Sequence, residues 1–410
     1  MTFEVFQKRN IFIFLSLVIP LLITGPFLPD LFVSISSLIF LYYLYKKKEW
    51  IFFKKIPILL FIFFCIYTIF CSLLAEDIIL SFQSSLFYFR IGIFGCLIWY
   101  LIEKDKEILI YFYYALLFSF IILLIDGYIQ FFFDTNLLGN PKKTYRLSSL
   151  FGDEYVLGSY LSRLFPLFFA LFIIKKKKKY ELVYVGIIFI LVEVLIYITG
   201  ERTAFFFLNL STVFIIFMIK RYWKFRTLCL IFSLIIISSL TILYPNLKER
   251  MVDGPMQTIG FYENSEKINI FSPAHDSLIR TAFKMFLDKP IIGHGPKMFR
   301  KICKVEKYRV GELPCNTHPH NFYVQLLAET GFIGFSFLFS VFIYVIFCVC
   351  KQMISILKKR ERYLNDYQVC LLAGILISIW PIAPNGNFFN NWLMIIYSFP
   401  FGFYLQSIFE

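Results

Sequence analysis

The chain has 410 residues, of which 59% are hydrophobic and 54 are Phe, and its mean hydropathy is +0.71. This composition excludes a soluble globular domain, because runs of about 18 or more apolar residues are long enough to cross the hydrocarbon core of a bilayer as helices. The net charge of +14 does not indicate nucleic-acid binding, since the Lys and Arg residues are concentrated in alternate connections between the apolar runs.

Twelve apolar runs predict about twelve transmembrane helices, so the fold class is all-α integral membrane, with residues 1–410 as one polytopic domain. The runs are 11–28, 29–45, 56–75, 82–102, 108–133, 155–174, 180–199, 203–219, 226–244, 320–350, 365–383 and 388–407. Pro26 and Pro29 divide the first two, which are the least distinct pair. No small-residue cleavage site follows the first run, so we expect no cleavable signal peptide.

The positive charges predict the orientation in the membrane. Basic clusters occur in the connections 46–55, 175–179, 220–226 and 351–362, whereas 75–77, 200–202 and 381–391 carry little or no Lys or Arg. The positive-inside rule then predicts that both termini are cytoplasmic.

Two connections on the opposite, extracytoplasmic side are long enough to carry function: Asp134–Tyr155, and the range 245–319 between the ninth and tenth runs. Within the longer one, 272–277 predicts a turn with a helix N-cap, and 278–287 shows apolar residues at helical spacing. Cys303 and Cys315 both lie in this loop, where a disulfide is possible in an oxidising compartment.

The four histidines all lie in or next to this loop, between His275 and His320. We predict Pro319 as the first residue of the tenth helix with His318 as its cap, which places His320 in the first turn. The positive end of the helix dipole lowers the pKa of an imidazole there and favours the neutral form, as a general base requires.

An isolated histidine at this position could simply cap the helix. However, Asn321, Gln325 and Glu329 repeat at four-residue spacing below it and give the helix a polar stripe. Polar residues within a membrane span face a cavity or the interior of a bundle. The stripe therefore favours a functional role for His320.

Arginines offer planar forks of donors that suit phosphate oxygens. Arg202 opens the eighth run and Arg280 lies on the loop helix; their alternatives are an interfacial anchor and an ordinary solvated face. Arg90 and Arg163 lie inside apolar runs, where a charge is costly, so each is expected to line the same cavity or to reach the extracytoplasmic edge. The structural alternative is pairing with Asp153, Glu154 or Glu201.

A metal site built from the histidines is disfavoured, because Pro319 separates His318 from His320 and no acidic ligand is near. Phosphate-cradling glycine loops, a serine nucleophile elbow and a dinucleotide fingerprint are absent from the sequence. We therefore predict neither a metal nor a cofactor.

Three sequence patches follow the order and spacing of one family of membrane enzymes. His320-Asn321 is followed, after nine intervening residues, by Gly331-Phe332-Ile333-Gly334. Arg280 is followed by a helix and then by Pro290-Ile291-Ile292-Gly293-His294-Gly295, and Gly200-Glu201-Arg202-Thr203-Ala204 opens a span. With the twelve runs and the long loop, these patches resemble the O-antigen ligase/polymerase superfamily of bacterial polysaccharide assembly.

The resemblance implies an enzyme of the bacterial inner membrane whose active site faces the periplasm. Such enzymes transfer a glycan from undecaprenyl diphosphate to an acceptor hydroxyl, with inversion and without a metal. His320 is then the general base, favoured over His318 by the family pattern, and Arg202 and Arg280 hold the diphosphate. Further contacts with substrate are assigned to Arg146, Arg90, Arg163, His318, Asn321 and Gln325. The implied partners are the lipid-linked glycan donor, lipid A–core or another glycan as acceptor, and membrane lipid.

The His-Asn pattern favours a ligase, but the residues do not distinguish acceptors. A polymerase would use a second lipid-linked glycan, and a protein-glycosylating relative would use a protein. A flippase or other transporter is the alternative from a different class. It would be expected to show a midplane site and two related halves, whereas the polar groups here concentrate at one face.

Overall fold

The computed structural model describes residues 3–143, 146–175, 179–259 and 271–409. Over these ranges the chain forms helices and no β-strand, and two isolated bridges join Thr135 to Pro141 and Lys143 to Arg146. The helices before the first long connection are α1 Phe3–Ser16, α2 Val18–Leu21, α3 Phe27–Lys47, α4 Ile56–Leu73, α5 Ile78–Ser85, α6 Phe89–Lys104 and α7 Ile108–Phe133.

Four longer helices follow, then the loop helices and the C-terminal part. The longer four are α8 Leu157–Ile174, α9 Lys179–Ile198, α10 Arg202–Met218 and α11 Trp223–Leu243. The remainder are α12 Pro245–Lys248, α13 Gly254–Ile259, α14 Pro273–Asp288, α15 Phe299–Ile302, α16 Phe322–Leu357, α17 Asp366–Ser378 and α18 Asn391–Phe409. Short 3₁₀ turns occupy Leu22–Thr24, Ile51–Lys54, Ser149–Phe151 and Glu306–Tyr308, and a π-helical turn occupies Glu249–Asp253.

Nine helical stretches in the described part of the chain are long and apolar enough to cross a membrane. They are Phe27–Lys47, Ile56–Leu73, Ile78–Lys104, Ile108–Phe133, Leu157–Ile174, Tyr180–Ile198, Trp223–Leu243, Phe322–Leu357 and Asn391–Phe409. These agree with nine of the predicted runs. The runs 11–28, 203–219 and 365–383 coincide with shorter apolar helices, Arg9–Thr24, Arg202–Met218 and Asp366–Ser378. The all-α membrane class is thus confirmed, while twelve crossings stay a prediction.

Two helices form the centre of the bundle. In α8, 16 of the 18 residues are buried, and in α17 11 of the 13 are buried. A helix that is apolar on every side belongs either in a protein core or in a membrane, and these two are surrounded by other helices. Accordingly, α8 packs against α17, α10 and α7, and α17 also contacts α18.

The connections predicted to be extracytoplasmic meet at one end of the bundle. The ring of Phe131, at the end of α7, lies 5.2 Å from the ring of Tyr244, at the end of α11. Lys301 of the long loop forms an ion pair with Asp77 at 3.3 Å. The segment 75–77 and the described parts of 134–155 and 245–319 therefore share one face of the molecule.

The first long connection is fixed to the end of α7 by buried polar side chains. Asp126 accepts a hydrogen bond from the Ser149 hydroxyl at 2.6 Å, and Gln130 accepts from the backbone N–H of Ser148 and Ser149. These bonds set the position of Arg146 in the same connection.

Arg90 is paired differently from the sequence expectation. Its Nη2 lies 2.6 Å from Oδ1 of Asp30, and the other carboxylate oxygen accepts from the Asn391 amide at 3.2 Å. The predicted partners Asp153, Glu154 and Glu201 are therefore wrong for Arg90. A break between α5 and α6 puts Arg90 at a helix start, within reach of Asp30 in the first turn of α3. This contact joins α3, α6 and α18.

Candidate active site

The start of α16 differs from the prediction. The helix begins at Phe322 with Asn321 as its N-cap, whose side-chain oxygen accepts from the backbone N–H of Tyr323 at 3.0 Å and of Val324 at 3.1 Å. Pro319 as first helical residue and His318 as cap are thus wrong, because an Asn side chain satisfies two free N–H groups of the first turn. His320 lies just before the helix, in the left-handed region with φ 55°.

Three imidazoles are grouped here, and we call His275, His318 and His320 the histidine group. The ring of His320 is 4.0 Å from that of His318 and 5.3 Å from that of His275, which the first turn of α14 supplies. The amide of Asn316 lies 3.3 Å from Nε2 of His320. Donation from this amide leaves the lone pair on Nε2, the form that accepts a proton.

The fourth histidine, His294, is apart from the histidine group. It is buried, and its Nε2 donates to the backbone carbonyl of Met285 at 3.1 Å. Its clustering with the others along the sequence is therefore not a clustering in space. No set of three or more His, Cys, Asp or Glu side chains within the described ranges is arranged to hold a metal ion.

The surroundings of the histidine group favour the neutral form of its imidazoles. Burial and, to a smaller extent, His275 lower the pKa of His320 to about 4. Burial lowers the pKa of His318 to about 3, with contributions from His320 and Arg300. The direction agrees with the sequence expectation, but burial is the largest cause rather than the helix dipole.

The polar stripe of α16 holds two connections onto the helix. Glu329 accepts from the backbone N–H of Phe299 at 3.0 Å and from the Gln325 amide at 2.9 Å. The Gln325 oxygen accepts from the backbone N–H of Phe388 at 2.9 Å. Asn321 donates to the carbonyl of Pro381 at 2.8 Å. The stripe faces the interior of the bundle, and its polar atoms are engaged by the protein itself.

The two glycine patches of the sequence meet at a kink in α16. Gly331 has φ 64°, and a Cβ there would collide with the carbonyl of Ile291. A Cβ on Gly293 would lie 2.5 Å from the backbone of Glu329. At this crossing Gly295 donates its N–H to the Glu329 carbonyl at 2.7 Å. Glycine is needed both in α16 and in the segment that crosses it, because the two backbones are in contact there.

Arginines surround one carboxylate near the start of α10. Glu201 accepts from the backbone N–H of Gly158 at 2.7 Å and of Ser159 at 3.1 Å, at the start of α8. Arg146 and Arg163 both interact electrostatically with it. Burial raises the pKa of Glu201 to about 7, and these N–H groups and cations act in the opposite direction.

Arg202 and Arg250 complete this cluster, which we call the arginine group: Arg146, Arg163, Arg202 and Arg250. Nε of Arg202 donates to the carbonyl of Arg250 at 2.7 Å, and Nε of Arg250 donates to that of Gly200 at 3.2 Å. One carboxylate, Glu201, is set against four cations. The group is therefore suited to a ligand with more than one negative charge.

Arg163 and Asn385 connect the arginine group to the histidine group. Nη1 of Arg163 donates to the Ser159 hydroxyl at 2.7 Å, and Nη2 approaches the Asn385 side chain at 3.5 Å. The backbone N–H of Asn385 donates to the His320 carbonyl at 2.8 Å. The Arg163 guanidinium lies 4.4 Å from the centre of the Tyr397 ring, and this stacking fixes the orientation of the guanidinium.

Arg280 is positioned less directly. It lies on α14, the helix that carries His275, and its side chain is 65% exposed. Its ion pair is with Asp276, one turn earlier, at 3.5 Å. Sequence reasoning placed Arg280 with Arg202; the structure instead leaves it on an exposed face of the helix next to the histidine group.

Sequence reasoning did not identify Arg250 or Asn385. Arg250 lies among charged residues in the long loop, and Asn385 lies in the short connection before α18. Neither carries a local motif. The contacts that bring them to the site join residues 48 or more positions apart, and such pairings are not visible in a single sequence.

A disulfide joins Cys303 to Cys315, with their Cα atoms 5.2 Å apart. The sequence left this pairing open. The bond closes the loop directly before the histidine group and fixes Asn316, whose carbonyl lies 4.0 Å from the Cys303 sulfur.

Residues 186–339 match the family model described as O-antigen ligase. The match covers less than half of the chain but includes all three sequence patches, and with them Arg202, Arg280 and His320. No curated protein matches the chain. The segment from α9 to the first half of α16 thus carries the signature of the O-antigen ligase family within a multi-pass membrane fold, and this match supports the O-antigen ligase/polymerase superfamily.

Proposed function

We propose that the protein is an O-antigen ligase-like glycosyltransferase of the bacterial inner membrane, with its active site facing the periplasm. It transfers a glycan from undecaprenyl diphosphate to a hydroxyl of lipid A–core. The observation that carries this proposal is the pairing of a neutral histidine group with a cluster of four arginines, linked through Asn385.

In the proposed reaction, Nε2 of His320 takes the proton of the acceptor hydroxyl as its oxygen attacks the anomeric carbon. The bond from that carbon to the diphosphate oxygen breaks, and undecaprenyl diphosphate leaves with the electron pair, so the configuration inverts. A diphosphate leaves without prior protonation, so the site needs cations rather than a general acid.

The arginine group supports the diphosphate role. Arg202, Arg146 and Arg163 are the proposed ligands, with Arg250 added by the structure, and Arg280 approaches from the exposed face of α14. Preorganised donors of this kind stabilise charge that develops on the leaving group. Asn321, Gln325 and Arg90 are proposed to hold the site together through their bonds to the protein, and His318 to border the acceptor.

Reconstituted transfer tests the proposal. Purified protein is mixed with an undecaprenyl-diphosphate glycan, with or without lipid A–core, and the products are resolved by gel and mass spectrometry. We expect core-dependent transfer that falls ~10²–10⁴-fold in His320→Ala, the usual effect of removing a general base. Arg280→Ala is expected to abolish transfer as well, with membrane expression intact.

Chain growth without core would identify the polymerase reaction of the same superfamily instead. Turnover in neither mixture would contradict a glycosyltransferase and favour the transporter alternative. Wild-type transfer by His320→Ala would contradict the assignment of the base.

A further inference from the structure

A second basic cluster lies beside the histidine group. The short helix α15 carries Arg300, and the preceding residue, Phe299, is fixed by its N–H to Glu329 at 3.0 Å. One turn later, Cys303 is bonded to Cys315, three residues before His318. These two attachments hold Arg300 beside His318, and the two side chains interact electrostatically.

Two donors in this cluster are buried without a partner. Nε of Arg300 and Nε2 of His318 are both inaccessible to solvent and make no hydrogen bond. The Thr317 hydroxyl lies 2.9 Å from Nδ1 of His318, so donation from that hydroxyl leaves the proton on Nε2. Unpaired buried donors are costly, and more so when they are charged, unless an acceptor is bound.

Lys297 adds a second cation to the cluster. Its backbone is held in the left-handed region at φ 63°, which is unusual for a lysine. Burial lowers the pKa of the Lys297 ammonium, and Arg300 lowers it further, so the two cations are close. Glu329 is the nearby carboxylate, but its oxygens already accept from Phe299 and Gln325.

We propose that Arg300, Lys297 and Nε2 of His318 form a subsite for an anionic group of the acceptor, a phosphate or a carboxylate, next to the hydroxyl that His320 deprotonates. This inference rests on the proposed function. The subsite is separate from the arginine group, which is connected to His320 by the contacts of Asn385 with His320 and with Arg163. The neutral histidine group would thus adjoin both a donor anion and an acceptor anion.

Transfer to matched acceptors tests the subsite. The purified full chain is assayed with one glycan donor and an acceptor that carries its phosphate groups, the same acceptor after enzymatic dephosphorylation, and a third acceptor that carries only carboxylates. We expect Arg300→Gln to raise the KM for the charged acceptors roughly tenfold or more, since a charge-assisted hydrogen bond is lost. The KM for donor and for the neutral acceptor should be unchanged.

Lys304→Gln is the control, because Lys304 is an exposed cation on the same segment, and it should alter no KM. Arg300→Lys, which keeps the charge but loses the fork, should give an intermediate KM if Arg300→Gln does not fold. Equal effects of Arg300→Gln on charged and neutral acceptors would overturn the subsite, as would a wild-type enzyme without preference for the charged acceptors. A wild-type enzyme that transfers to none of the three would refute the proposed function itself.

Discussion

At the scale of single residues, the neutral state of His320 comes from its surroundings rather than from its place in the chain. It is half-buried against two further imidazoles, and protonating any one of the three disfavours charge on the others. A base with a pKa far below the ambient pH is weaker but always available. In the proposed reaction, the site would therefore rely on its cations to stabilise the leaving group, and less on the strength of its base.

The pKa of about 4 at His320 predicts the pH dependence of transfer. The base acts when it is unprotonated, so kcat at saturating donor and acceptor should stay constant from pH 7.5 down to about 5. An ordinary histidine would lose activity below about pH 6.5. A fall of kcat to half near pH 6.5 would contradict the neutral histidine group.

Glu201 supplies the control for this measurement, because burial raises its pKa to about 7. Its carboxylate lies within the arginine group, so its titration is expected to change the KM for donor and not kcat. In Glu201→Gln the donor KM should lose its pH dependence around 7, while the kcat profile stays that of the wild type.

At the scale of residues, the sequence predicted which side chains could carry chemistry better than it predicted which residues contact one another. The polar stripe and the arginine that opens α10 were predictable, because each depends on neighbours within one or two turns. The neutral form of His320 was expected from the helix dipole, whereas burial is its largest cause. The partner of Arg90 was not predictable, since Asp30 lies 60 positions away. The cap of α16 was missed because Pro319 and Asn321 are both good helix-start residues, and the side-chain bonds of Asn321 decide between them.

At the scale of elements, the kink at Gly331 connects the loop to the span. The helix α16 is interrupted there, and the segment that starts at Pro290 crosses it backbone to backbone, with Phe332 donating to the Pro290 carbonyl at 2.8 Å. Tyr67 of α4 donates its hydroxyl to the Thr330 carbonyl at 2.8 Å. The Gly-x-x-Gly and Pro-x-x-Gly-x-Gly patches are therefore two sides of one contact.

Gly331→Ala tests this contact. The variant should lose stability through both backbone strain and collision with Ile291, and we expect a loss of about 2 kcal/mol or more. Gly139→Ala is the matched control, because Gly139 also has a positive φ, 80°, but has open space around its Cα. Thermal unfolding in detergent compares them, and equal shifts in Tm would argue against the close crossing.

Element boundaries were predictable where a local signal was strong. The end of the loop helix at Asp288 is one residue beyond the predicted range 278–287, whereas its start was placed five residues too late. The true start uses Ser272 as N-cap and Pro273 as first residue. This difference matters, because the added turn is the one that carries His275 to His320.

At the scale of the whole molecule, connections far apart in sequence form one polar face on an apolar bundle. The hydropathy pattern predicts the spans, because each span carries its own signal. It does not predict which connections touch, and Arg250, Asn385 and Arg300 came to the site only through such contacts. The exact number of crossings also depends on three short helices that hydropathy alone does not settle.

The shared face predicts the reactivity of introduced cysteines. In a Cys350→Ser background, which removes the exposed native thiol, Lys284→Cys on α14 should react with a membrane-impermeant maleimide in intact spheroplasts. Arg360→Cys, exposed at the opposite end after α16, should react only after permeabilisation. The reverse pattern would contradict cytoplasmic termini.

The length of α16 bears on the depth in the membrane at which the reaction would take place. Its 36 residues, divided by the kink at Gly331, correspond to ~54 Å of helix at 1.5 Å per residue, more than the ~30 Å of hydrocarbon that a bilayer offers. We therefore expect the part before Gly331 to lie above the hydrocarbon and His320 to lie at the height of the lipid headgroups. Two lipid-anchored substrates would both carry their reacting groups at that height. Each would then find the enzyme by diffusing in the plane of the membrane, and neither would have to leave it.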